Sequence, residues 1–222
     1  MQLIGMLDSP YVRRVAIALH HFGLPFEHLP LSVFRNIEDF KQINPLVKAP
    51  TLVCDDGEVL MDSSLILNYI DRLATDRFAT AKTDSANQSL MPEPMADYQK
   101  ALRIIGLGLN ACDKTVQIVY ERDLRPAEKQ HQPWRDRIAS QLLSAYGLLE
   151  PYTAEIASWL IQNRLTQADI TVAVAWQFTQ LMVADVVDIH SYPGLAALSK
   201  RAEALPAFTA APLDPNWQPK EP

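Results

Sequence analysis

The chain of 222 residues is poor in glycine and cysteine and has no surplus of positive charge. Its seven glycines form no glycine-rich loop, so no phosphate-cradling turn is expected. Cys54 and Cys112 stand at neither a metal nor a redox spacing, and His131 has no second histidine at ligand distance, so no metal is expected. Lys and Arg total 20 against 26 Asp and Glu, a net charge of -6 that argues against nucleic acid as a partner. No apolar run approaches the roughly 20 residues that span a bilayer. The first residues enter a short strand pattern directly, without the basic region and long apolar core of a signal peptide. These absences leave a cytoplasmic protein, with no membrane segment, as the expectation. What is present suits it: 48% hydrophobic and 21% charged residues, in a chain long enough for two modest domains.

The stretch from Leu3 to Leu19, LIGMLDSPYVRRVAIAL, organises the first half. An apolar start breaks at Asp8-Ser9-Pro10, and Val12, Val15, Ala16 and Leu19 then recur at helical spacing. Strand, turn and helix follow, with Ser9 at the N-cap and Pro10 at the first helical position. Gly23 ends the helix, and Leu24 to Leu31 reads as a second strand, placed at a sheet edge because Pro30 cannot donate to a ladder. Ile37, Phe40 and Ile43 mark a short helix. Thr51 to Cys54 and Glu58 to Met61 are two strands joined by the Asp55-Asp56-Gly57 turn, and Asp62-Ser63 opens a helix through Ile66, Tyr69, Ile70 and Leu73. The order βαβ, short helix, ββα is that of an α+β thioredoxin-like domain with one four-stranded mixed sheet.

Several of these positions carry chemistry. Ser9 either caps its helix or offers its hydroxyl to an anion or thiolate at the positive end of the helix dipole. Pro50, after Ala49, is either a trans residue at a strand start or a cis turn that bares the neighbouring backbone. Asp62 and Ser63 form an ordinary cap, or hold respectively an amine and a carboxylate of a ligand. Lys48 is a solvated charge or meets a second carboxylate. The turn Ser9-Pro10-Tyr11-Val12 lacks the cysteine that dithiol exchange requires.

SPYVRRVAIAL, NPLVKAPTL and MDSSLILNYI, in this order and spacing, resemble the glutathione transferase family, in the manner of its bacterial serine-type members. The resemblance implies a co-substrate, glutathione, whose sulfur accepts a hydrogen bond from Ser9, the catalytic residue. It implies that Ala49, before a cis Pro50, pairs by backbone with the cysteinyl part, that Asp62 and Ser63 hold the γ-glutamyl end, and that Lys48 reaches the glycyl carboxylate. The family more often has glutamate where Asp62 stands. By the same analogy the electrophile lies in a cleft between the domains, with Tyr11, Lys114, Tyr120 and Trp176 as candidate lining residues, and the protein is a homodimer.

The second half is expected to be all-helical. Polar Ala74 to Met91 reads as a linker, which sets domains at 1–76 and 92–222 around a linker at 77–91. Tyr98, Leu102, Ile105, Leu109, Cys112, Val116 and Val119 trace one apolar seam on a long helix, in which Gly106 and Gly108 point to the close approach of another helix or subunit. Pro133 opens a helix with Ile138, Leu142 and Leu149 inward. Thr166 and Asp169 approximate a capping box before Ile170, Val174, Phe178 and Leu181. Tyr192-Pro193-Gly194 begins a last helix, and Asp214 to Pro222 is a proline-rich tail. The expected function is transfer of the glutathione sulfur to small hydrophobic electrophiles, as in detoxification. The alternatives are a non-catalytic binding or adapter protein, and a glutathione-dependent isomerase or dehalogenase.

Overall fold

The computed structural model describes residues 1–81, 89–154 and 158–213. Among the described residues, 1–81, 89–90 and 205–213 form one compact unit, and 91–154 and 158–204 form another.

The first unit holds β1 (Gln2–Ile4), α1 (Pro10–His21), β2 (Glu27–Leu29), α2 (Ile37–Ile43), β3 (Thr51–Val53), β4 (Val59–Met61) and α3 (Ser63–Ala81). The sheet order is β2-β1-β3-β4, with β2 parallel to β1 and the other pairs antiparallel. Pro30 follows an edge strand, as its missing N–H requires. The turn between β3 and β4 uses Gly57 at φ +89°, and its N–H donates to the Cys54 carbonyl. Leu3 and Ile4 of β1, Leu52 of β3, Val12, Val15 and Leu19 of α1, and Ile66 and Ile70 of α3 are fully buried and form the core of this unit. The short α8 (Pro206–Thr209) returns to it: Phe208 is buried under the Arg13 guanidinium, 5.8 Å from the ring centre, and Arg13 Nε donates to the Ala211 carbonyl at 2.9 Å.

The second unit contains α4 (Met95–Val119), α5 (Gln132–Leu149), α6 (Gln167–Val183) and α7 (Pro193–Glu203). Its buried centre is α6, which is apolar on nearly every face, as a helix surrounded by others must be. Thr166 N and Oγ1 both donate to Asp169 Oδ2, at 2.8 and 2.6 Å, while Leu160 N donates to Asp169 Oδ1 at 2.8 Å. The carboxylate therefore ties the start of α6 to the preceding chain. It is fully buried, and burial raises its pKa against the opposing pull of those hydrogen bonds.

Three expectations are corrected. The buried face of α4 is Ala101, Ile104, Ile105, Gly108, Ala111, Cys112, Thr115 and Ile118, whereas Tyr98 and Leu102 of the expected seam are exposed. The small residues lie inward because α6 comes close: a Cβ on Gly108 would stand 3.0 Å from Thr171 Cγ2, while one on Gly106 would meet nothing. Leu181 is likewise exposed, its place taken by Met182 and Val183. Finally, α3 continues to Ala81 through residues expected to be linker. Their polarity is that of a helix surface, where Arg72 and Asp76 pair at i,i+4 with Nε–Oδ1 3.3 Å. Residues 82–88 of the expected linker and the tail from Asp214 lie outside the described residues.

Asp169→Asn replaces a carboxylate that accepts three bonds by an amide that must donate from one side. The expected cost is about 1–3 kcal/mol, seen as a lower Tm in a thermal melt; an unchanged Tm contradicts the role given to this carboxylate.

Candidate functional site

The motif-bearing segments meet because three strand ends are in line. Ile4 of β1 pairs with Thr51 of β3, and Thr51 pairs with Met61 of β4. Gly5, Pro50 and Asp62 are each one residue past that row, at the same end of the sheet. Neighbouring strands lie about 5 Å apart, so the turn that leads to Ser9, the loop of Lys48 and Ala49, and the start of α3 share one edge.

Ser9 is the N-cap of α1: its carbonyl accepts from Arg13 N at 2.9 Å, with φ -72° and ψ 122°. Its hydroxyl makes no capping bond, and the first turn of α1 contains no acidic residue. The plain capping role is thus not the one adopted. A half-buried hydroxyl remains at the positive end of a 12-residue helix.

The peptide between Ala49 and Pro50 is cis. Pro50 is buried, Ala49 half-buried and Lys48 exposed. The loop is braced by two residues that sequence reasoning missed. Asn44 Nδ2 donates to Thr51 Oγ1 at 2.8 Å, Thr51 Oγ1 donates to the Lys48 carbonyl at 2.7 Å, and Leu46 N donates to Asn44 Oδ1 at 3.0 Å. Both side chains are buried, and their only sequence signal was polarity beside an apolar strand.

Asp62 takes φ +70°, a left-handed conformation that aspartate tolerates better than most residues. Its Oδ1 accepts from Ser64 N at 2.9 Å, so one carboxylate oxygen caps α3. Ser63 is buried, and Arg14 Nη1 donates to its Oγ at 3.3 Å. Arg14, itself buried on α1, is another residue that the periodicity of that helix did not single out.

Gly5 was also missed. At φ +136° it takes a backbone conformation closed to other residues, and a Cβ there would lie 2.6 Å from Val12 Cγ2 and 3.1 Å from the Ala49 Cβ. It lets the strand, the helix and the proline loop converge.

The remaining candidates are divided between the two units. Tyr11 is half-buried on α1. In the second unit, the Lys114 ammonium pairs with Asp113 at 3.0 Å and donates to Gln117 Oε1 at 3.3 Å, and Tyr120 is 45% exposed. Trp176 is corrected: it is buried in α6, edge-on to Tyr146 at 5.2 Å and to Tyr192 at 5.9 Å, and packs a core instead of lining a pocket.

Residues 3–78, which contain all of these strand ends, match the family model described as glutathione S-transferase, N-terminal domain. A glutathione S-transferase of Methylobacterium radiotolerans, solved in complex with glutathione sulfonate, superposes with a TM-score of 0.84 at 26% identity over 99% of this chain and 98% of that one. This chain carries a glutathione S-transferase N-terminal domain, and its whole length has the fold of that solved glutathione S-transferase. The uncharacterized GST-like protein YibF of Escherichia coli K12 is 26% identical over 79% of this chain and 80% of its own. A maleylacetoacetate isomerase of Pseudomonas aeruginosa is 25% identical over 100% of this chain and 99% of its own. In this domain the hydroxyl of Ser9, the amides that begin α1 and α3, and the Ser63 hydroxyl can all donate, an arrangement suited to an anionic ligand.

The tight fit at Gly5 is testable. Gly5→Ala should cost about 1–3 kcal/mol through overpacking, and Val12→Ala in the same chain should remove the clash, so that the pair costs less than the sum of the two single changes. Additive losses of stability contradict this contact.

Proposed function

We propose that this protein is a serine-type glutathione transferase: it binds glutathione at the sheet edge, holds its sulfur as a thiolate through the Ser9 hydroxyl, and directs that thiolate at a small hydrophobic electrophile. The observation that carries the proposal is a serine hydroxyl that makes no capping bond, at the N-terminus of a helix whose first turn holds no acidic residue. Glutathione-bound relatives of the same fold support the choice of ligand.

The energies are adequate. A free thiol has a pKa of about 8.5, so only a few per cent is thiolate at neutral pH. Lowering it by about 2 requires about 2.7 kcal/mol of preferential stabilisation of the anion. A hydroxyl hydrogen bond to an anion supplies about 1.5–3 kcal/mol, and the helix dipole about 0.3–1 kcal/mol. No histidine base and no metal is needed. Ser9 donates and is not itself the nucleophile; the thiol proton leaves to solvent, and the sulfur forms the new bond as the electrophile's leaving group departs.

The other residues follow in role. The backbone of Ala49 pairs with the cysteinyl unit, Lys48 meets the glycyl carboxylate, Asp62 takes the γ-glutamyl ammonium with the oxygen not used by Ser64, and Ser63 takes the γ-glutamyl carboxylate. Tyr11, Lys114 and Tyr120 are the residues proposed to meet the electrophile. The protein is proposed to act in the cytoplasm, where the tripeptide stays reduced, and as a homodimer, with exposed Leu65 and Tyr69 one helical turn apart on α3 offering apolar surface to a second copy. A second reading, glutathione-dependent isomerisation, uses the same thiolate and is favoured by the full-length similarity to maleylacetoacetate isomerase.

Ser9→Ala should raise the pKa of the bound thiol by about one to two, read by titrating the ultraviolet absorbance of the thiolate in the complex. An unchanged pKa removes Ser9 from this role. Retention on a glutathione column together with turnover of an aryl halide supports the transferase; retention without turnover favours isomerase or binding-protein function.

A further inference from the structure

The loop that presents Ala49 is held by a chain of hydrogen bonds that runs in one direction. Leu46 N donates to Asn44 Oδ1 at 3.0 Å, which fixes the side-chain amide with its nitrogen toward the sheet. Asn44 Nδ2 donates to Thr51 Oγ1 at 2.8 Å and lies 3.9 Å from Met61 Sδ, between β3 and β4. Thr51 Oγ1 accepts that bond and spends its single proton on the Lys48 carbonyl, at 2.7 Å. Both side chains are buried. Within the loop Val47 takes φ +50°, a left-handed conformation that a β-branched residue adopts only where its surroundings impose it, and its N–H donates to the Asn44 carbonyl at 2.9 Å. The Lys48–Ala49 peptide is trans, so its carbonyl and its N–H point in opposite directions. With the carbonyl turned in to Thr51, the half-buried Ala49 turns its N–H away from that hydroxyl. Among the described residues nothing accepts from this N–H.

We propose that Asn44 and Thr51 are positioning residues for the cysteinyl unit of glutathione: through the Lys48 carbonyl they hold the Ala49 N–H aimed at the cysteinyl carbonyl of the ligand. The proposal rests on the reading of this edge as a glutathione site and adds to it the residues that set one of its donors. Neither side chain touches the ligand. The direction of the chain matters as much as its presence. Were the Thr51 proton drawn to Asn44 instead, the Lys48 carbonyl would lose its donor, the peptide would be free to turn, and the Ala49 N–H would lose its aim. A loop already locked in the binding conformation gives up little freedom when the tripeptide arrives.

The test compares two ligands by titration calorimetry: glutathione, and its isostere in which a trans alkene replaces the Cys–Gly amide and so removes the cysteinyl carbonyl and the N–H beside it. The native chain is expected to bind glutathione about 10-fold more tightly than the isostere. Thr51→Val keeps the shape and removes the hydroxyl; it is expected to weaken glutathione by roughly 5–10-fold and the isostere by less than about 2-fold. Thr51→Ser keeps the hydroxyl and restores the native preference. In turnover of an aryl halide the loss in Thr51→Val falls on KM for glutathione, with kcat at saturation nearly unmoved. Asn44→Asp decides the matter if Thr51→Val does not fold: its carboxylate draws the Thr51 proton away from Lys48, and the same selective loss is expected. Unchanged binding, equal weakening of both ligands, a loss that Thr51→Ser shares, or a native chain that binds the two ligands alike overturns the role of Asn44 and Thr51 while the glutathione site stands. Failure of the native chain to bind glutathione overturns both.

Discussion

Three strands of three residues each, ending in line, are the constraint on which the rest of the first unit depends. The pairing of Ile4 with Thr51 and of Thr51 with Met61 brings together segments that lie far apart in sequence. A slip of one residue in either pairing would turn alternate side chains to the wrong face and separate the serine turn from the proline loop and the head of α3. Gly5 and the buried pair Asn44 and Thr51 secure this edge, the first by allowing close approach, the second by hydrogen bonds. Their work is structural, and it precedes any contact with a ligand.

The edge so formed differs in character from the chain as a whole. The protein is acidic, with a net charge of -6, yet this edge gathers donors: the start of α1, the start of α3, the Ser9 and Ser63 hydroxyls, the exposed Lys48 and the buried Arg14. Asp62 is acidic, and it spends one oxygen on the Ser64 amide. A ligand with two carboxylates, one ammonium and a thiol answers this distribution better than a neutral or cationic one. Electrostatic preorganisation of this kind acts on the sulfur at no cost in rearrangement when the reaction occurs.

Much of this unit was legible in the sequence. The βαβ order, the edge position of the strand before Pro30, the Asp55-Asp56-Gly57 turn and the helix at Asp62-Ser63 all follow from local rules of backbone conformation, and the structure agrees with them. The cis peptide at Pro50 did not follow from local preference; the company of the other motifs indicated it. Arg14, Asn44 and Gly5 were not legible, because their value lies in contacts between segments: an arginine on an apolar helix reads as a misfit until Ser63 is placed against it. On α4 the spacing of large side chains pointed to the wrong face. The buried face is lined by alanine, glycine, cysteine and threonine, since the neighbouring helix comes too close for larger groups. Trp176 failed as a site residue for the opposite reason: its size drew it into the core.

The central claim is a hydrogen bond from Ser9 to the sulfur of glutathione. A crystal structure of the protein with glutathione tests it most directly. The account predicts the sulfur within hydrogen-bonding distance of Ser9 Oγ, with the cysteinyl backbone against Ala49 and the γ-glutamyl group at Asp62 and Ser63. A complex in which the tripeptide occupies this edge but its sulfur points away from Ser9, or in which it binds elsewhere, contradicts it.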